Sequence, residues 1–126
     1  GNVINGDVLG SLEYACKYAG TKVILILGHT SCGAVGAAWQ GVEDGNITGL
    51  LAKIQPAVDK TKAQHGEEGT PEVLNACVAQ NVVQMCDEVR AQSSILAEME
   101  AKGEIILAGG VYNVSTGKVS FTGQSA

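Results

Sequence analysis

The chain has 126 residues, 45% of them hydrophobic and 17% charged, which suits one globular domain and is too apolar for a disordered segment. Thirteen acidic residues against eight basic ones give a net charge of −5, and Arg90 is the only arginine, so no basic stripe exists to hold a nucleic-acid backbone. The longest wholly apolar run, Val23 to Leu27, is far shorter than the ~20 residues a membrane-spanning helix needs, and the first twenty residues lack the basic start and apolar stretch of a signal peptide, so neither nucleic acid nor membrane is expected as a partner and the expected location is cytoplasmic.

Asp7 is placed to cap a first helix, in which Leu9, Leu12, Cys16 and Ala19 fall on one stripe and Gly20 supplies the stop. Lys22 to Leu27 is apolar and β-branched on both faces, the pattern of a parallel strand covered on both sides. The turn Gly28-His29-Thr30-Ser31-Cys32-Gly33 then leads into Ala34 to Trp39, a helix of small residues able to pack closely on a sheet.

Residues 40–49 read as a surface loop, Leu50, Leu51, Ile54 and Val58 as a helical face, and Lys60 to Gly69 as polar and exposed, with His65 an ordinary surface histidine. Thr70-Pro71-Glu72 is a strong helix start, with a capping hydroxyl, a proline where its missing N–H costs nothing and an acid in the first turn. Val73, Leu74, Cys77, Val78, Val82, Met85 and Val89 follow on one face; Ser93 or Ser94 starts another helix with Ile95, Leu96 and Met99, and Gly103 ends it. Glu104 to Ala108 reads as a second buried strand, Gly109-Gly110 as a turn, and Lys118 to Phe121 as a half-exposed edge strand. Buried strands alternating with helices predict a three-layer α/β domain over residues 1–126.

Ligands in open α/β sheets bind beyond the carboxyl ends of the strands, where Gly28 to Gly33 falls. His29 and Cys32 there are an imidazole and a thiol three positions apart, both zinc ligands by type, and the thiol stands at a helix start that favours a thiolate. The plainer alternative is a histidine satisfying a turn carbonyl and a cysteine filling a gap. Gly28 and Gly33 have the outer spacing of a phosphate-binding loop, but Ala34-Val35 stands where a lysine and a hydroxyl belong, and Thr30 replaces the middle glycine of a dinucleotide fingerprint. A nucleophilic Cys32 activated by His29 stays open as a rival chemistry. The other cysteines, Cys16, Cys77 and Cys86, lack the density of a disulfide scaffold, so free thiols are expected, Cys16 and Cys77 buried in their helix stripes.

Ser11-Leu12-Glu13-Tyr14-Ala15, the apolar strand and Gly28-His29-Thr30-Ser31-Cys32-Gly33-Ala34-Val35 together resemble the central signature of the β-class carbonic anhydrases. Ser94-Ile95-Leu96, Gly103 with the strand after it, and Tyr112-Asn113-Val114-Ser115-Thr116-Gly117-Lys118-Val119 are similar to that family's closing segment, and Gly1-Asn2 looks like the end of its Arg-x-Ala-Gly-Asn stretch. The resemblance implies a mostly parallel sheet flanked by helices with an antiparallel edge strand, a Zn2+ ion held by two cysteines and a histidine, reversible hydration of carbon dioxide to bicarbonate and a proton, and a homodimer or larger assembly. His29 and Cys32 match two of the ligands, and Gly33 beside them is expected to face the substrate.

The third ligand of that pattern, with an aspartate–arginine dyad, belongs to a Cys-x-Asp-x-Arg segment before the point where this chain starts, so the catalytic dyad is missing and the domain is expected to lack its N-terminal strands. The strand at Lys22 to Leu27 would then show an unpaired apolar edge. Cys86-Asp87-Glu88-Val89-Arg90 is a near match to the missing segment but lies in an amphipathic helix, where Cys86 is expected at a boundary; Cys77 and Cys86, nine positions apart, sit on opposite faces and cannot share a site. The competing functions are a Cys32-dependent thiol enzyme and a non-catalytic homologue serving as an oligomerisation or scaffold module.

Overall fold

The computed structural model describes residues 1–124, in the order α1 (Gly6–Lys17), β1 (Val23–His29), α2 (Gly33–Gln40), α3 (Gly45–His65), α4 (Pro71–Gln92), α5 (Ser94–Ala101), β2 (Ile106–Tyr112) and β3 (Val119–Gln124). Asn5, not Asp7, caps α1: its Oδ1 accepts the Val8 N–H at 2.9 Å, leaving Asp7 in the first turn, where its charge suits the helix dipole. Gly20 does serve the stop, in a left-handed conformation (φ 81°) that lets the Thr21 N–H reach the Ala15 carbonyl.

The strands form one sheet in the order β1-β2-β3, with β1 and β2 parallel from Val23 opposite Ile106 to His29 opposite Tyr112, and β2 and β3 antiparallel. The expected α/β class with its antiparallel edge strand is what forms. The expected cover on both faces of β1 is not: Ile24 and Gly28 are buried, but Val23, Leu25 and Leu27 are 55%, 43% and 40% exposed. The reason lies in the layers, because α4 rests on one face against all three strands while the other face, with Ile106 and Phe121, is open. The outer edge of β1 also has no strand beside it among the described residues.

Gly109-Gly110 is not a turn but the middle of β2. A Cβ on Gly109 would lie 2.7 Å from Val82 Cγ1, and one on Gly28 would lie 2.8 Å from Val82 Cγ2. One glycine from each paired strand thus makes a seat for Val82, and α4 sits closer to the sheet than side chains at those positions would allow.

Helix α4 divides the interior in two. Its Met85, Cys86 and Val89 pack with Leu9, Cys16, Ile24, Leu96 and Leu107, whereas Cys77 and Val78 pack with Val35, Trp39, Leu51, Ile54 and Val58. Cys77 and Cys86 thus lie in different cores, and Cys86 is buried rather than at a boundary. Helix α2 packs chiefly on α3 and α4 rather than on the sheet. Helix α3 is longer than expected in both directions: only 41–44 remain as loop before it, and it runs through Lys60 to His65 because Thr61 is buried, its hydroxyl donating to the Ala57 carbonyl at 2.7 Å. His65 at its end is exposed, as expected. Thr70 caps α4 through the Val73 N–H, and Ser93 caps α5 through the Leu96 N–H. Among the described residues no helix is long and apolar enough to cross a membrane.

All four cysteines are free, and Cys16, Cys77 and Cys86 are buried. Burial pushes each of these three thiols up from its ordinary range. Their stabilising contribution is therefore complete below the ordinary thiol range and is lost as pH rises through it, since the unfolded chain releases those protons first. The melting midpoint is expected to fall above about pH 8.5, and a maleimide reagent at neutral pH to modify Cys32 long before the other three. A midpoint flat up to pH 10, or rapid native labelling of Cys77, would contradict this.

Candidate metal centre at the end of the first strand

Three residues, Thr30, Ser31 and Cys32, carry the chain from the end of β1 to the start of α2, and the turn is tied down on two sides. The Thr30 N–H donates to the Tyr112 carbonyl at 2.9 Å, and the Thr30 hydroxyl accepts the Val114 N–H at 3.1 Å, fastening it to the end of β2. From the other side Asn75 of α4 accepts the Ser31 N–H on its Oδ1 at 3.1 Å. Ser31 has φ 57°, the only positive φ outside glycine among the described residues and a conformation that costs a residue with a Cβ about 1–2 kcal/mol.

His29 is exposed on the open face of the sheet, with Nδ1 2.9 Å from the Thr30 carbonyl. A carbonyl only accepts, so Nδ1 carries the proton and Nε2 keeps a free lone pair, the arrangement in which a histidine serves as a metal ligand. The plain reading of His29 as partner of a turn carbonyl and the ligand reading are thus one geometry. Cys32 is half-buried at the N-terminal end of α2. Burial pushes its thiol up, and the N–H groups of Val35 and Ala34 at the start of α2 draw it down. With its N–H given to the backbone, His29 keeps the lone pair of Nε2 to offer to a metal ion or to a proton, so the hydrogen bond suits a ligand and a base alike.

Beside His29 a shallow depression of about 390 Å³ is formed by Leu27, Gly28, His29, Tyr112 and Val114. Gly33 opens α2, exposed and, among the described residues, with nothing within 4 Å of where a Cβ would stand. Sequence reasoning missed that Tyr112 and Val114 border this turn; the signal was the parallel pairing that sets His29 opposite Tyr112. It also missed Asn75, which no local pattern marks.

Cys86-Asp87-Glu88-Val89-Arg90 has other work. Cys86 is in the core, and Arg90 binds Glu100 through Nε at 2.8 Å and Nη2 at 3.1 Å, with Asp87 on Nη1 at 3.1 Å. Among the described residues no three of His, Cys, Asp and Glu gather closely enough to hold a metal ion. His29 and Cys32 fit a zinc ion as two donors, and a third donor has to come from elsewhere.

The family model described as carbonic anhydrase matches residues 1–119. The chain belongs to the β-class carbonic anhydrase family. Carbonic anhydrase 2 of Mycobacterium tuberculosis is 32% identical over 123 residues, covering 94% of this chain and 57% of that protein. The chain spans just over half the length of the curated carbonic anhydrases it matches. Among solved structures, the β-carbonic anhydrase CafA of Aspergillus fumigatus superimposes with a TM-score of 0.80 at 25% identity, over 94% of this chain and 58% of that one. A tetrameric β-carbonic anhydrase of Sordaria macrospora superimposes with a TM-score of 0.78 at 20% identity, over 98% and 65%. The family read from His29-x-x-Cys32 and the Tyr112 to Val119 tail is therefore the family found, and the α/β fold is that of its β class.

Proposed function

We propose that this chain supplies His29 and Cys32 as two ligands of a zinc site, and that the protein it forms interconverts carbon dioxide and bicarbonate. The observation that carries the reading is the turn itself, which presents an imidazole with a free Nε2 and a thiol at the N-terminal end of α2 from two ends of one tied segment. A zinc ion held by His29 and Cys32 with a third ligand would supply the Lewis acidity that lets water act as a nucleophile near neutral pH. The chain's own groups do the rest of what can be assigned: the Thr30 carbonyl holds the tautomer of His29, the α2 N–H groups favour ionised Cys32, and Gly33 keeps the approach open. Leu27, Tyr112 and Val114 offer an apolar surface suited to carbon dioxide.

In this reading the third ligand and the aspartate–arginine dyad belong to a segment before Gly1, so residues 1–126 are one domain without its first strands, which would pair with the free edge of β1. The four free cysteines support a reducing compartment such as the cytoplasm. Zinc analysis and stopped-flow carbon dioxide hydration test the reading together: about one zinc per chain, with hydration above the buffer rate, is the result expected of protein including that segment. Metal-free protein with an activity abolished by alkylation of Cys32 would transfer the function to thiol chemistry, and a folded, metal-free, inactive assembly would make it a scaffold.

We also assign the protein to a homodimer or larger assembly. Support comes from the open apolar face of Val23, Leu25, Leu27, Ile106 and Phe121 and from the tetrameric relatives of Sordaria macrospora. Sedimentation at micromolar concentration should give at least twice the chain mass of 12.9 kDa, and a stable monomer would overturn the assignment.

A further inference from the structure

We propose that Asn75 is a positioning residue for the paired donors: by accepting the Ser31 N–H it holds the left-handed turn between His29 and Cys32, and so fixes how imidazole and thiol stand toward a shared ion. The inference rests on the zinc reading above and extends it to a side chain far away in sequence. Ser31 gains nothing locally from φ 57°, and its amide is satisfied only from across the fold, at 3.1 Å. Thr30, the residue before it, is already bound on both amide and hydroxyl to the end of β2. Without the α4 contact the turn is anchored on one side alone, and Ser31 is free to relax to the negative φ that a residue with a Cβ prefers. That rotation lies between the two donors, so it changes their separation directly.

The position of Asn75 is itself determined. It lies one helical turn before Val78, whose Cγ1 stands 2.9 Å from where a Cβ on Gly28 would be. The close seat of α4 on the strand end thus sets the height at which the amide oxygen arrives, immediately beyond His29. A carboxylate at this position would keep an acceptor oxygen on the same stem, and an isosteric apolar side chain would remove it.

The test uses protein that includes the segment before Gly1, with cobalt(II) as the metal and the near-ultraviolet thiolate-to-cobalt band and the visible spectrum as readouts, beside hydrogen exchange of the Ser31 amide in metal-free protein. Asn75→Leu is expected to weaken cobalt binding at least tenfold and to speed Ser31 exchange at least tenfold. Asn75→Asp should restore both to within about threefold. Adding Ser31→Gly to Asn75→Leu should recover part of the cobalt binding, because a glycine takes a positive φ without the cost that a Cβ imposes. An Asn75→Leu chain that is folded by circular dichroism and keeps the wild-type affinity and spectrum overturns the inference alone. Unchanged Ser31 exchange in that variant overturns it whatever the metal does. A wild-type chain that takes up no cobalt overturns the zinc reading and the inference together. Should Asn75→Leu fail to fold, Asn75→Ala with the same Asn75→Asp rescue decides the matter by the same two readouts.

Discussion

Replacing Gly109 by alanine is expected to lower the melting midpoint by roughly 4–12 °C, the equivalent of about 1–3 kcal/mol of overpacking in a chain of this size. The new methyl would lie 2.7 Å from Val82 Cγ1, 2.9 Å from Thr122 Oγ1 and 3.4 Å from Cys86 Sγ. Thr122 is exposed and can turn away, but Val82 is fully buried and β-branched, so it cannot yield without moving α4. The companion variant Val82→Ala removes the obstruction at the cost of a cavity, and the double variant should be distinctly more stable than the two single losses added together. Strict additivity in thermal melts would show that the seat of α4 is not the reason for the glycine. Gly28→Ala acts on the same seat from β1, against both Val82 and Val78.

Cys32→Ser is expected to remove at least nine-tenths of the bound zinc and nearly all carbon dioxide hydration, while leaving the metal-free midpoint close to wild type. In the proposed site the thiolate is the ligand, and a serine hydroxyl does not ionise in the working range. The half-exposed position of Cys32 makes the change inexpensive for the fold. Cys86→Ser should do the reverse. It keeps the zinc, because Cys86 lies in the core between α4, α1 and α5, but it places a hydroxyl among Leu9, Cys16 and Leu96 and costs about 1–3 kcal/mol if that hydroxyl finds no partner. Metal content and melting midpoint, measured on both variants, separate the two cysteines. Equal zinc loss from both would sink the assignment of Cys32, and full zinc in Cys32→Ser would do so outright.

What could be read in advance follows from how local each cause is. Thr70-Pro71 states a helix start within three residues, and the apolar run from Val23 states a strand, so both were found. The turn carrying His29 and Cys32 was placed by the end of that strand. Asn5, not Asp7, caps α1, and nothing local separates them because both residue types cap helices well. Gly109-Gly110 looked like a turn because the demand for glycine comes from Val82, on another element. The charged neighbours Asp87, Glu88 and Arg90 make Cys86 look like a boundary residue, yet adjacent helix positions point in different directions and Cys86 is buried. Asn75 and Tyr112 meet the turn only through tertiary packing, and no spacing in one sequence announces that.

The parallel register of β1 and β2 has a consequence for how the molecule is made. Val23 pairs with Ile106 and His29 with Tyr112, so the partner of β1 leaves the ribosome about eighty residues later, on the order of four to sixteen seconds at ordinary synthesis rates. Helices α2 to α5 emerge in that interval. The apolar segment from Val23 to Leu27 must therefore wait with its β2 edge unpaired, and α4, which packs on β1 and sets Val78 and Val82 against Gly28, can cover one face of it before β2 exists. The interval from the emergence of Val23 to that of Gln92, when α4 is complete, is therefore the one in which chaperones are expected to capture the nascent chain most readily.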